Sequence, residues 1–235
     1  MKAKRRSAGF LIGLTLIAAM LVAGFGALGV WQVHRLAWKR DLIARVDARV
    51  HAAPVAAPAM ASAADEYRRV AVQGHFLHDR VALVQASTVR GSGYWVMTPL
   101  MTERGFAVIV NRGFVPPEAK ASYEQPRGRV ALTGLLRLSE PGGGFLRAND
   151  PGADRWYSRD VAAIAAKRGL RPVANYFIDA QASPSPYALP VGGLTVVRFP
   201  NSHLSYAITW FALAIMSAGA YIFVMRQELT ARGAE

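Results

Sequence analysis

The sequence predicts an α+β membrane protein in which two transmembrane helices flank one antiparallel, β-rich extracytoplasmic domain carrying a short helix. Three observations lead there. Phe10 to Val33 and Leu204 to Met225 are apolar runs at opposite ends of the chain, and neither contains Asp, Glu, Lys or Arg. Each is roughly 22 to 24 residues, enough helix to cross a hydrocarbon core of about 30 Å. The residues between them, about 170, suffice for a single domain with its own core, and their grain is that of short strands broken by turn signals.

In chain order, residues 1–9 form a basic tail and 10–33 the first span. A cleavable signal peptide is the competing reading of Met1-Lys-Ala-Lys-Arg-Arg6. Against it, the apolar run is about twice the usual length and no small-residue cleavage site ends it. Trp31 at the end of this span, with Tyr206 and Trp210 near the start of the other, suits interfacial aromatic belts. Residues 34–66 read as an interfacial helix and linker: the first span continues as an amphipathic helix over Leu36 to Val50, with Leu36, Leu42, Ile43, Val46 and Val50 against basic partners. A Pro- and Ala-rich linker, His51 to Ala64, follows it.

The domain occupies 67–200. Strands are expected at Tyr67–Phe76, Arg80–Ala86, Tyr94–Met101, Phe106–Val115 and Val130–Leu138, joined by loops short enough for antiparallel hairpins. A helix is expected over Arg159–Arg168, with Ser158 as N-cap and Gly169 as its stop. Asn175–Asp179 and Leu194–Phe199 read as returning strands, the last leading into the second span at 201–225. Residues 226–235 form the C-terminal tail. Basic residues flank both sides of the spans equally, so the dense N-terminal cluster decides the orientation: both termini cytoplasmic and the domain outside.

Composition removes whole classes of function. The 235 residues are 52% hydrophobic with a formal charge of +13, and they include no cysteine. Disulfides, thiolate catalysis, cysteine-ligated zinc, iron–sulfur clusters and covalent haem attachment are therefore excluded. Lys and Arg are scattered instead of forming a basic helix, which speaks against nucleic acid and for anionic lipid headgroups or an acidic ligand. Pro141-Gly-Gly-Gly144 lacks the Lys-Ser/Thr of a phosphate loop, no Gly-x-Ser-x-Gly or His-Glu-x-x-His occurs, and no catalytic residue is assigned. Asp65, Glu66, His78 and Asp79 match no metal spacing and read as solvated loop residues.

Two features carry more. In Asn111-Arg-Gly-Phe-Val-Pro116 a glycine interrupts a strand, which is either a bulge at a strand end or a device presenting Arg112 to a membrane or a partner, where its fork can hold a carboxylate. His203 opens the second span and shares a helical face with Tyr206, Ala207, Trp210 and Ala214. It reads either as an axial haem ligand, with the two alanines leaving room for the ring, or as an interfacial histidine reaching headgroups.

Gly29-Val-Trp-Gln-Val-His-Arg35 with Trp38-Lys39, Gly74-His-Phe76, Gly93-Tyr94, Thr98-Pro99, Asn111-Arg-Gly-Phe-Val-Pro116, Phe177-Ile-Asp-Ala180, Gly192-Gly193 and Asn201-Ser-His-Leu-Ser-Tyr-Ala-Ile-Thr-Trp210 occur in an order that resembles the SURF1 family. The resemblance implies a non-enzymatic assembly factor for haem–copper terminal oxidases, cytochrome c oxidase above all, that binds haem a and helps insert it into subunit I. It implies His203 as the ligand of the haem iron, with Tyr206 and Trp210 beside the cofactor, and haem A synthase, oxidase subunit I and membrane lipids as partners. Trp31, Arg35 and Arg112 are candidate partner contacts. His34 departs from the family pattern, which more often has Gln there, and inherits no role. The short N-terminal tail favours a bacterial inner membrane, with the domain in the periplasm. The alternative is a scaffold that stabilises an oxidase assembly intermediate and holds no cofactor.

Overall fold

The computed structural model of the chain describes residues 6–144, 146–182, 188–195, 197 and 199–233. The chain divides into two compact units, residues 1–44 with 198–235, and residues 45–197.

The first unit is a pair of helices, α1 (Ala8–His51) and α3 (His203–Gly233). Both are long and apolar enough to cross a membrane, with mean hydropathy of 2.3 and 1.9 in their most apolar windows. Only 6% of either window is buried, far below what a helix inside a soluble core shows. Phe10, Ile12, Leu16, Ile17, Ile215 and Phe223 are exposed along them, as lipid-facing side chains are. The span and the interfacial helix expected to continue it form one unbroken helix. No proline precedes Pro54 and no glycine follows Gly29 on α1, so nothing stops the helix before His51.

The second unit is a seven-stranded sheet of β1 (Val55–Ala56), β2 (Arg69–Phe76), β3 (Ala82–Thr88), β4 (Gly91–Thr102), β5 (Ala107–Val115), β6 (Arg129–Leu138) and β7 (Val173–Ala180). Their order is β1-β2-β6-β7-β5-β4-β3. The pairing is predominantly antiparallel, with β1 on β2 and β7 on β5 parallel. Gly74–Phe76 of β2 also pair with Leu100–Thr102 of β4, so five strands close into a small barrel. Closure needs Gly74, because a Cβ there would run into the Met101 carbonyl.

Side chains alternate across this sheet as the two-residue strand period requires. Val108 and Val110 of β5 join Tyr176 and Ile178 of β7, with Leu100 and Leu136, in one core cluster. Ile109 and Phe177 point to the other face, where Met97, Val84, Trp156 and the helix residues Ile164 and Ala165 meet them. That helix, α2 (Val161–Arg168), starts two residues later than expected. Asp160, not Ser158, is its N-cap and accepts from the Ala163 amide at 3.0 Å. Ser158 Oγ is instead taken by the Gly143 amide and the Asn149 side chain. Gly169 ends α2 in the left-handed region, as expected.

The returning strand expected over Leu194–Phe199 does not form among the described residues of that stretch; Val196 and Arg198 lie outside them. The physical reason is where the chain docks: Val191 and Gly193 bond to Phe114 of β5 and Ala180 of β7, and each of these strands already has two neighbours. The segment docks earlier, by a single bridge between Val191 and Phe114.

Candidate functional site

Contacts between α1 and α3 follow a consistent antiparallel register. His203 meets Gln32, the rings of Trp210 and Phe25 stack at 5.7 Å, Tyr221 Oη lies 2.9 Å from Thr15 Oγ1, and Arg6 pairs with Glu228 at 3.2 Å. Gly29 permits the close approach, because a Cβ there would stand 2.6 Å from the Phe211 ring. Ala207 and Ala214 are buried within the pair. Their small size is used by the packing of one helix on the other.

His203 Nδ1 lies 2.8 Å from Gln32 Oε1. A carbonyl oxygen only accepts, so Nδ1 carries the proton and donates, which fixes the tautomer and leaves Nε2 as a lone-pair donor. Nε2 has no hydrogen-bond partner among the described residues. This is the arrangement that orients a metal-ligating histidine: one ring nitrogen held by a neighbouring oxygen, the other available. Gln32 is buried at 8% exposure in an otherwise apolar stretch. A polar side chain at such a position reads as functional by default.

The remaining sequence-predicted residues separate. Trp210 packs on Phe25, about two helical turns along α3 from His203, and Tyr206 is exposed. Trp31 is exposed, and Arg35 lies over the Trp38 ring at 4.0 Å. His34 is exposed; it is Gln32, two residues earlier, that reaches His203. No group of three or more His, Asp or Glu arranged for a metal ion occurs among the described residues. Asp65 instead caps the Ser62 turn, and the Ser62 hydrogen bonds hold its carboxyl below the usual range. Glu66 pairs with Arg137, Asp79 with Arg80, and His78 Nε2 meets the Pro126 carbonyl.

In the domain, Arg112 folds back onto its own surface. Its guanidinium donates to the Glu124 carbonyl at 2.6 Å and lies near the rings of Phe76 and Tyr123. Burial pulls its pKa below the ordinary value and pushes that of Tyr123 up. β5 runs unbroken through Gly113, with a register shift against β4; Gly113 has φ +129°, and any side chain there would meet the Val191 backbone, so the glycine lets the Val191 segment lie against β5.

Asp179 anchors a second polar group. Its side chain is 2% exposed and accepts from Asn111 Nδ2 and Thr195 Oγ1, each at 2.8 Å. Arg137 and Arg159 reach it at 3.4 Å, and Arg159 also forms a fork with Glu140 at 2.6 and 2.9 Å. Asn111, Arg137, Arg159, Asp179 and Thr195 border a cavity of about 470 Å³. Each guanidinium already has carboxylate partners, and the group ties β6, β7 and the α2 entrance together.

A profile of the SURF1 family matches residues 19–215, a stretch that includes Gln32, Asp179 and His203. The chain belongs to the SURF1 family. It is 37% identical to a SURF1-like protein of Monosiga brevicollis, over 88% of this chain and 85% of that protein. Surfeit locus protein 1 of Rattus norvegicus is 36% identical over 83% of this chain and 70% of its own length, and that of Homo sapiens 37% identical over 86% and 73%. Within this SURF1-family chain, sequence reasoning named His203 and missed its partner. The signal for Gln32 was its polarity within the first apolar run, visible once the run is treated as a membrane helix.

Proposed function

We propose that this SURF1-family chain is an assembly factor for a haem–copper terminal oxidase, which receives haem a from haem A synthase and passes it to oxidase subunit I. The proposal places it in a bacterial inner membrane, with both termini cytoplasmic and the domain periplasmic. The observation that carries the haem reading is the His203–Gln32 pair: a histidine at the opening of an apolar helix, held in one tautomer with Nε2 available. Haem a is cargo here, and its iron supplies a Lewis-acidic centre that one histidine can hold reversibly.

The chain's own residues then have separable roles. His203 supplies the lone pair, Gln32 keeps the ring oriented, and Trp210 packs against Phe25 further along the helix pair. Tyr206 and Trp31, exposed near the span ends, offer aromatic surface to the cargo's rim or to lipid headgroups. A single noncovalent ligand suits a carrier that must release, and no bond need be made or broken in the cargo.

The test uses the full chain expressed in a host that makes haem A and purified in mild detergent. Reduced visible spectra are expected to show haem a in the native protein and none in His203→Ala. Gln32→Leu, which removes only the orienting oxygen, is expected to weaken haem binding about 10- to 100-fold. A colourless native protein that still captures oxidase subunit I would assign the chain to the cofactor-free scaffold class.

A further inference from the structure

One mouth of the barrel holds polar atoms that are buried without a partner. Val108 and Val110 of β5 belong to the cluster that fills the barrel, and Arg112 comes two residues further along the same strand. Phe76 at the end of β2, Val130 and Leu132 near the start of β6, and Ala180 at the end of β7 pack on that cluster at the same end. The Arg112 guanidinium lies 5.1 Å from the centre of the Phe76 ring. Phe76, Val110, Arg112, Pro126, Val130 and Leu132 border a cavity of about 240 Å³, and all belong to the unit of residues 45–197. Barrel mouths with apolar walls and a few polar groups are places where small ligands bind.

Arg112 is the anomaly of this mouth. Its Nη2 is taken by the Glu124 carbonyl, but Nη1 is buried and has no hydrogen-bond partner among the described residues. Arg137, Arg159 and Arg168, with side chains 15–16% exposed, each face a carboxylate within 3.4 Å. Arg112 forms no ion pair among the described residues, although burial desolvates its guanidinium. A desolvated cation without a counter-ion costs stability, and a bound anion removes that cost.

Two further unpartnered atoms lie at this end. The His78 ring is tilted on Phe76 with centroids 5.6 Å apart. Its Nε2 donates to the Pro126 carbonyl at 2.9 Å, which leaves Nδ1 as a buried lone pair with no partner among the described residues. Thr98 of β4 is fully buried in register with Val110, and its Oγ1 is unpartnered too. The other three such atoms among the described residues are Nε atoms of Arg69, Arg137 and Arg168, whose terminal nitrogens are bonded elsewhere. Buried polar atoms are nearly always satisfied, so unused hydrogen-bonding capacity is concentrated at this mouth.

We propose that the barrel mouth is a binding site for a small aliphatic carboxylate, with the carboxylate on Arg112 Nη1 and the alkyl body along Phe76, Val130 and Leu132. One fixed positive charge with one free donor matches a monoanion, and a planar carboxylate suits the edge of a guanidinium. A phosphate dianion would find too few donors, and the aliphatic walls would leave it unsolvated. The proposal rests on neither haem binding nor oxidase assembly, so it stands or falls separately.

The test titrates the full chain in mild detergent calorimetrically with sodium butyrate, sodium hexanoate and inorganic phosphate, with empty micelles titrated in parallel. Hexanoate is expected to bind about tenfold more tightly than butyrate, because it buries two further methylenes. Arg112→Gln is expected to weaken hexanoate binding at least about tenfold. Val130→Phe fills the cavity and leaves Arg112 unchanged, so it decides the matter should Arg112→Gln fail to fold; hexanoate binding is expected to be lost in it. No uptake of hexanoate by the native chain, which means a mouth that holds only water, overturns the site. Binding unchanged in either variant overturns it as well, and phosphate bound as tightly as hexanoate overturns the choice of an aliphatic carboxylate.

Discussion

Individual side chains in this protein act through the partner that fixes them. His203 has a defined tautomer only because Gln32 accepts its Nδ1 proton. Asp179 is tolerable at 2% exposure only because four donors surround it. Asp179→Ala leaves the Asn111 amide and the Thr195 hydroxyl without their acceptor, while Arg137 and Arg159 keep Glu66 and Glu140, and the expected loss is about 1–3 kcal/mol, measured by chemical denaturation in detergent. Asp154 behaves differently. Burial would raise its pKa, but the hydrogen bonds from Arg168 and Trp156 together outweigh that, so its carboxyl lies below the ordinary 3.8. A depressed folded value means stability that is present above the unfolded value and lost as pH falls through the folded one. Acid unfolding followed by tryptophan fluorescence should thus show a shallower decline below about pH 4 in Asp154→Asn than in the native chain.

Elements here begin and end where local chemistry says, and pair where single glycines allow. Asp160 and Gly169 bracket α2 from its own sequence, and Pro54 lies just beyond the end of α1. The approach of α1 to α3 depends on Gly29, where any side chain collides with Phe211. Gly29→Val should force the helices apart, at a cost of about 1–3 kcal/mol typical of overpacking. A bifunctional thiol reagent bridging Thr15→Cys and Tyr221→Cys reports this directly. Its yield in vesicles should fall markedly in the Gly29→Val background, while unchanged yield would show that the pair adjusts around the side chain.

For the molecule as a whole, two kinds of cohesion coexist. The spans hold together by interlocking rings and a few polar contacts, since lipid supplies no hydrophobic drive between helices. The domain holds together by a closed sheet whose central strands, β5 and β7, are buried on both faces. Amide hydrogen exchange on the full chain should rank accordingly, with Val108–Val110 and Tyr176–Ile178 slowest and the Thr88–Gly91 turn fastest. Comparable rates in the two regions would contradict the closed barrel as the most stable part of the fold.

By itself the sequence determined much that depends on local pattern: two apolar runs without charge, alternating strands, one helix and its glycine stop though not its N-cap, the absence of thiol chemistry, and membership of the SURF1 family. Tertiary structure alone decided what depends on residues far apart in the chain. The meeting of Gln32 with His203 spans 171 positions, the closure of β2 on β4 rests on a glycine whose need appears only when Met101 lies beside it, and the expected strand over Leu194–Phe199 is preceded by docking on β5 and β7, which each already have two neighbours. Local propensity measures what a segment prefers when alone; edges, partners and close approaches exist only once the rest of the chain has folded around it.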